Sequence, residues 1–401
     1  MRDVAIVAAR RTPIGRLRGI LKDVRPDDLA ALVIKQVIDD VHLDPALVDD
    51  VLMGSANQAG EDNRNVARMA LLLAGFPVTV PGSTLNRLCG SSLEAVNRGY
   101  QAIRAEEADI IIAGGVESMT RAPWVMLKPG LGYASGNQPV WDTSIGWRMT
   151  NPKLAEMYHP YSMGETAENL AERFHLSRED QDAWALESHQ RAVRAHETGH
   201  FNQEIVPVPI VDKKSGVVTY VNRDEHPRPD TSLEKLAKLR PAFRPGGTVT
   251  AGNSSGINDG AAAVVLMARE IAEAKGIEPL AIIRGTGVAG VDPAIMGYGP
   301  VPATKRALAH AGWNLGDLDQ VELNEAFAAQ VLADLHDMPI DRGIINLYGG
   351  SIALGHPLGA SGARILTTLI YGMMASGAKK GLATMCIGVG QGIATVIERS
   401  A

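Results

Sequence analysis

The chain repeats itself at long range. Leu43-Asp44-Pro45-Ala46-Leu47-Val48-Asp49-Asp50-Val51 compares with Leu315-Gly316-Asp317-Leu318-Asp319-Gln320-Val321, and Val51 and Val321 stand 270 positions apart. Each segment is soon followed by an asparagine, in Ala56-Asn57-Gln58 and in Leu323-Asn324-Glu325. Further on, an apolar run ending at Gly114-Gly115 compares with Leu382-Ala383-Thr384-Met385-Cys386, and Gly114 and Cys386 are 272 apart. A solenoid stacks many short repeats, so two copies of this length exclude one. The pattern predicts one fold used twice, as two α/β halves packed in a pseudo-symmetric pair. Cys89 then falls near the counterpart of His356, 267 positions on.

The local texture agrees. A β-branched run at 4–7, a helix over about 27–40, a strand at 51–53, helices around Val66 and Leu93 and a buried strand at 109–113 alternate through the first third. Between 120 and 248 come Pro123, Pro129, Pro139, Pro152 and Pro160, with Trp124, Trp141 and Trp147, which predicts a loop-rich insertion. The α/β texture returns at 249. The expected division is therefore 1–119 with 249–272 as the first half, 120–248 as the insertion and 273–401 as the second half. Inside the insertion Ser177-Arg178-Glu179-Asp180 resembles a capping box, opening a helix that ends at Gly199. His189 and His196 lie seven apart on it, which reads as a solvated face and not as a metal pair, so no metal site is expected. Gly285-Thr286-Gly287-Val288-Ala289-Gly290 spells a dinucleotide fingerprint, but Pro293, Gly297, Gly299 and Pro300 leave no room for its helix, and nicotinamide binding is excluded.

Charge narrows the partners. A formal net charge of -6 argues against nucleic acid or an anionic membrane surface, so a phosphorylated ligand needs a local basic patch, which Arg228, Lys235, Lys238, Arg240 and Arg244 supply. The 2 cysteines do not form a secreted disulfide framework, and a reducing cytoplasm is the expected location. The apolar run 4–9 is too short for a signal segment, no stretch is long enough to span a bilayer, and Glu398-Arg399-Ser400-Ala401 matches no peroxisomal address.

Three positions stand out chemically. Cys89 sits in Asn86-Arg87-Leu88-Cys89-Gly90-Ser91-Ser92, a small-residue turn before a helix-compatible run. A helix start lowers a thiol pKa, as a nucleophile requires, although a buried structural cysteine fits this segment equally well. His356, between Gly355 and Pro357, is rigidly placed beside open backbone, where imidazole can take a thiol proton and donate to an oxyanion. Cys386 ends a strand that breaks into Gly388, Gly390 and Gly392; it suits an acid or base towards carbon better than a disulfide to Cys89. Asn324 follows a strand and precedes a helix, and capping alone explains it.

Asn86 to Ser92, Asn324-Glu325-Ala326-Phe327-Ala328, Gly355 to Gly362 and Cys386 to Gly392 together resemble the active-site motifs of thiolases, the acetyl-CoA acetyltransferases and 3-ketoacyl-CoA thiolases. Arg11-Thr12-Pro13, Gly114-Gly115-Val116-Glu117-Ser118-Met119 and Thr250-Ala251-Gly252-Asn253-Ser254-Ser255 add to the likeness, which spans essentially the whole chain. The resemblance implies a five-layered α/β/α/β/α core with the insertion over a coenzyme A site. It implies an acyl transferase that cleaves 3-oxoacyl-CoA with CoA, or runs the reverse condensation, through an acyl-cysteine on Cys89. His356 would activate Cys89 and then the CoA thiol, and Cys386 would move the α-carbon proton. One oxyanion hole would use His356 with a water on Asn324, the other the backbone amides of Cys89 and Gly388. Arg228 would face the nucleotide phosphates, Ser255 would bond the pantetheine, and Met163, Ala326 and Phe327 would line the tunnel. CoA is then a co-substrate with no bound cofactor, acyl-CoA the partner, and a homodimer or homotetramer the assembly. Ser162 stands where biosynthetic acetoacetyl-CoA thiolases often place His, and Ile387-Gly388-Val389-Gly390-Gln391-Gly392 is closer to degradative members. Acyl-CoA breakdown is the expected setting, with biosynthetic acetoacetyl-CoA and 3-oxoadipyl-CoA thiolases as alternatives. A related ketosynthase would lack Cys386, and a non-catalytic acyl-CoA carrier would have lost Cys89 or His356.

Overall fold

The computed structural model describes residues 2–130, 132 and 135–399. Ser400 and Ala401, the end of the tetrapeptide read for an address signal, lie outside the described residues. Successive side chains of a strand point to opposite faces, and here both faces are buried. On Val4–Arg11, Ala5 and Val7 join one apolar cluster while Val4 and Ile6 join a second. Ile110–Ser118 divides the same way, Ile110 and Ile112 to the first and Ile111 and Ala113 to the second. In the other half Leu382 of Lys380–Ile387 and Val396 of Gln391–Glu398 face a third cluster, whereas Met385 and Ile397 return to the second.

The second cluster thus has strands of both halves around it, and its filling is helical. Leu93, Val96 and Ile103 of Ser91–Arg104 meet Ile365, Leu366, Leu369 and Met373 of Ser361–Ser376. Each such side chain contributes roughly 1.5–3 kcal/mol by leaving water. Pro26–Asp40 and Val66–Leu73 cover the outside of the first half, and Pro300–Ala311 and Ala328–Asp337 the outside of the second. The result is the α/β/α/β/α order that the resemblance implied.

Strand pairing repeats as well. Asp50–Gly54 runs parallel to Ile110–Ser118, which pairs antiparallel with Asn258–Ala268 and that in turn with Val4–Arg11. Gln320–Leu323, Lys380–Ile387, Gln391–Glu398 and Ala281–Gly290 reproduce this sequence. Val4, Ala5 and Ile6 pair with Ile283, Ile282 and Ala281, joining the halves into one 10-stranded sheet. The register is constant: Ser91 and Ser361 open the inner helices 270 positions apart, as do Ile110 and Lys380 their strands. The counterpart of Cys89 is accordingly Gly359, three residues beyond His356.

Four expectations are corrected. The insertion is more regular than its prolines suggested, because none falls between Pro160 and Pro207, and Met163–Arg173 and the 20-residue helix Arg178–Glu197 occupy that stretch. Ser177 caps the second by accepting from Asp180 N, and its hydroxyl turns to the Asp180 carboxylate instead of completing a reciprocal box. His189 and His196 are not on a solvated face: His189 is buried and the His196 side chain is 5% exposed, His189 Nδ1 accepting from Arg228 N at 3.2 Å and His196 Nε2 lying 3.0 Å from Asp224 Oδ2. The 285–290 glycines lie within a strand, and a helix does start at Pro300. It lies flat on them, so that a Cβ on Gly287 would come within 2.2 Å of Ala303 O. Among the described residues no helix is long and apolar enough to cross a membrane.

Candidate active site

The repeat brings the starts of the two inner helices together. Ala363 N donates to Ser92 Oγ at 2.9 Å, and a Cβ on Gly362 would lie 2.5 Å from Leu93 N. Cys89 stands just before the first of these helices, after Leu88, whose φ of 47° is left-handed. A non-glycine residue held there costs about 1–2 kcal/mol. The turn is tied down by Leu88 N donating to Asn86 Oδ1 at 2.8 Å and Arg87 N to Ser91 Oγ at 3.0 Å. The lowered thiol pKa expected of a helix start is not found. Burial around the sulfur pushes the Cys89 thiol up to about 11, against the opposing donation of the Gly388 and Cys89 amides.

His356 enters from the other half. Gly355, at φ 108°, lets the chain pass Asn258, whose Oδ1 accepts from His356 N at 3.0 Å. His356 Nδ1 is 2.6 Å from Ser361 Oγ, and that hydroxyl gives its single proton to Pro357 O at 3.1 Å. Nδ1 must then be the donor, which leaves the lone pair on Nε2. Nε2 is buried and has no partner among the described residues. Burial, with the charge of Arg364 behind it, pushes the imidazole down to about 3, so it is neutral at ordinary pH. Cys386 is buried at its strand end; burial first, then the nearby Cys89 and Asp334, raises its thiol well above the usual range.

Asn324 is not a helix cap, since the following helix begins at Ala328 with Phe327 before it. It is held by its own N–H donating to Thr384 O at 3.0 Å and by Ser351 Oγ donating to its Oδ1 at 2.6 Å, while its Nδ2 is buried and unpartnered among the described residues. Met163, Ala326, Phe327 and Cys386 share one apolar cluster with Val249 and Met296, and Met163 Sδ lies 3.4 Å from where a Gly388 Cβ would stand. Ser255 N donates to Ala326 O at 2.9 Å. Arg228 sits elsewhere, on a surface cavity of about 400 Å³ that it lines with His189, Arg194 and Thr231. The basic patch is weaker than its composition, for Lys235, Lys238 and Arg244 are each matched by Asp230, Glu234 and Glu172.

Sequence reasoning missed the carboxylates that hold these loops. Glu117 accepts from Ala56 N, Asn57 N and Gly359 N at 2.9, 3.2 and 2.8 Å. Glu325 accepts from Trp184 Nε1, Ser188 Oγ, Asn346 Nδ2 and Ile352 N, stitching the insertion to the loop before His356. Both lie within motifs already noted, but nothing in their spacing names the distant amides they bind.

With both thiols and the imidazole neutral, the free protein holds no ready thiolate. Iodoacetamide alkylation of Cys89, followed by peptide mass, is therefore expected to accelerate about tenfold per pH unit from about pH 7 to about pH 10. A rate that levels off near neutral pH would show a preformed thiolate and imidazolium instead.

Residues 4–270 match the family described as thiolase, N-terminal domain, and residues 277–399 the thiolase, C-terminal domain. The chain is 52% identical over 402 residues, 100% of each chain, to the 3-oxoadipyl-CoA/3-oxo-5,6-dehydrosuberyl-CoA thiolase of Escherichia coli K12. It is 53% identical, over 99% of each chain, to the beta-ketoadipyl-CoA thiolase of Pseudomonas aeruginosa. Among solved structures, the Bacillus anthracis acetyl-CoA acetyltransferase superposes with a TM-score of 0.93 at 43% identity, over 99% of each chain.

Proposed function

The chain belongs to the thiolase family of acyltransferases, and from that premise we propose that it cleaves 3-oxoadipyl-CoA with coenzyme A, giving acetyl-CoA and a shortened dicarboxylic acyl-CoA. The single observation that carries the chemistry is that Nε2 of a neutral His356 and Nδ2 of Asn324 are both buried without a partner among the described residues. Nε2 takes the Cys89 proton as the sulfur attacks the C3 carbonyl. The C2–C3 bond breaks, and its electron pair becomes the enolate of acetyl-CoA, bound by His356 and by a water on Asn324. Cys386 protonates C2 and regains its proton from His356. Nε2 then takes the proton of CoA, whose sulfur attacks the acyl-Cys89 while the Cys89 and Gly388 amides hold the oxyanion; Cys89 leaves and recovers that proton.

In this reading residues 120–248 lie over the CoA site between halves formed by 1–119 with 249–272 and by 273–401. Arg228 takes the phosphates, supported by its cavity with Arg194, Ser255 takes the pantetheine, and Met163, Ala326 and Phe327 line the tunnel. The protein works in the cytoplasm, in keeping with its free cysteines, and as a homodimer or homotetramer, supported by Gly82–Leu85 at the edge of the sheet. The dicarboxylic substrate rests on the relatives at 52% and 53% identity. Thiolysis of acetoacetyl-, 3-oxohexanoyl-, 3-oxodecanoyl- and 3-oxoadipyl-CoA is expected to rank the last highest in kcat/KM. A first place for acetoacetyl-CoA would favour the biosynthetic alternative, and one for 3-oxodecanoyl-CoA fatty-acid β-oxidation.

A further inference from the structure

We propose that Ser351 and Arg364 are positioning residues that aim the Asn324 amide into the reaction cavity, an inference resting on the reading of Asn324 as the holder of the oxyanion water. Ser351 opens the short helix Ser351–Leu354, and Arg364 stands in the first turn of Ser361–Ser376, in the inner helical layer. Ser351 is fully buried and Arg364 is 1% exposed. An arginine in that layer is poorly explained by stability, because an apolar side chain of similar size would serve the packing at least as well.

Its contacts supply another reason. Arg364 Nη2 donates to Ser351 Oγ at 2.6 Å, and Nη1 lies 3.7 Å from Glu322 Oε2. A guanidinium only donates, so the serine oxygen accepts from it and has one proton to direct elsewhere. That proton goes to Asn324 Oδ1, at 2.6 Å. The acceptor end of the amide is thereby occupied, and the donor end, Nδ2, is the buried group left without a partner among the described residues. With the amide reversed, the serine proton would be buried unpaired, so the chain from Arg364 through Ser351 selects the orientation that presents N–H to a water and an oxyanion. The same guanidinium charge also opposes protonation of His356, the other donor to that oxyanion.

The test compares Ser351→Ala, Asn324→Ala, the double variant and Ser351→Thr for thiolysis, for exchange of acetyl-CoA α-protons in deuterium oxide and for Cys89 alkylation by iodoacetamide. Ser351→Ala is expected to lower kcat and exchange on the order of tenfold to a hundredfold with little change in KM. Alkylation should be unaltered, and Ser351→Thr, which keeps the hydroxyl, should recover most of the loss. The double variant should match Asn324→Ala within about twofold, since Ser351 acts only through that amide. Losses that multiply in the double variant, or alkylation that slows in step with kcat, would overturn the proposal by showing a general packing role. Full turnover by Asn324→Ala alone would refute the underlying assignment of the asparagine, a result separable from either of these.

Discussion

Exchanging Cys89 for serine is expected to cut thiolysis by about 10⁴-fold or more, because the covalent route has no substitute nucleophile. The serine hydroxyl is a far weaker acid than the thiol, and the base offered to it is the neutral His356 Nε2, buried without a partner among the described residues. Intact-protein mass after exposure to 3-oxoacyl-CoA without CoA reads the same step directly: the parent gains one acyl group and the variant none. Cys386→Ser is expected to separate the halves of the reaction. It should still take up the acyl mass while α-proton exchange collapses, and exchange that persists would remove Cys386 from the proton transfer. A serine at 89 that kept a hundredth of the activity would argue against acyl-Cys89 altogether.

Replacing Arg11 with methionine is expected to destabilise the fold by about 3–5 kcal/mol, the usual consequence of removing one partner from a buried charge network. Arg11, Glu204 and Asp224 are all fully buried. The guanidinium donates to Asp224 Oδ1 and Oδ2 at 2.7 and 3.1 Å and to Glu204 Oε1 at 2.5 Å. It is shared unequally. Burial pushes the Asp224 carboxyl up, but Arg11 and His196 outweigh it and hold the group below its ordinary 3.8, whereas at Glu204 burial prevails and the carboxyl is raised. The Asp224 contribution is therefore fully present above pH 3.8 and is lost as the pH falls below it. Arg11 also pairs its backbone with Glu204 O and Val206 N, so the network fastens the insertion to the first strand. The urea midpoint should fall in proportion, with an unchanged slope. A loss below about 1 kcal/mol, the scale of an exposed pair, would mean that the network orients the insertion without stabilising it.

Much of the architecture was legible because it obeys short rules. Continuous apolar runs mark Val4–Arg11 and Ile110–Ser118 as strands buried on both faces, and the recurrence of Leu43 to Val51 at 315–321 is visible without any structure. His356 could be found because Gly355 and Pro357 beside a reactive side chain are otherwise hard to justify, and Cys89 and Cys386 through the family motifs in which they sit. Their acidities could not be found. The start of a helix can be read at Ser91, but the burial that raises the Cys89 thiol, the Glu117 charge that adds to it and the Gly388 amide that opposes it come from distant segments. For the same reason His189 and His196 looked solvated, since spacing along a helix does not reveal what covers it. Ser351, Arg364 and Glu325 stayed silent because their meaning lies in which hydrogen points where. That depends on partners 13 to 141 positions away.

The strand Val4–Arg11 pairs along its length with Asn258–Ala268, and its inner face is closed by helices of both halves. On a ribosome adding about 5–20 residues per second, this apolar ribbon waits on the order of 10 to 50 seconds for its neighbour to be made. Throughout that interval it is an open template for other nascent chains. Neither half can shield it alone, because the inner helices still lack one of their two walls. The soluble yield of this protein in cells is therefore expected to rise when chaperones that shield nascent chains are supplied in excess.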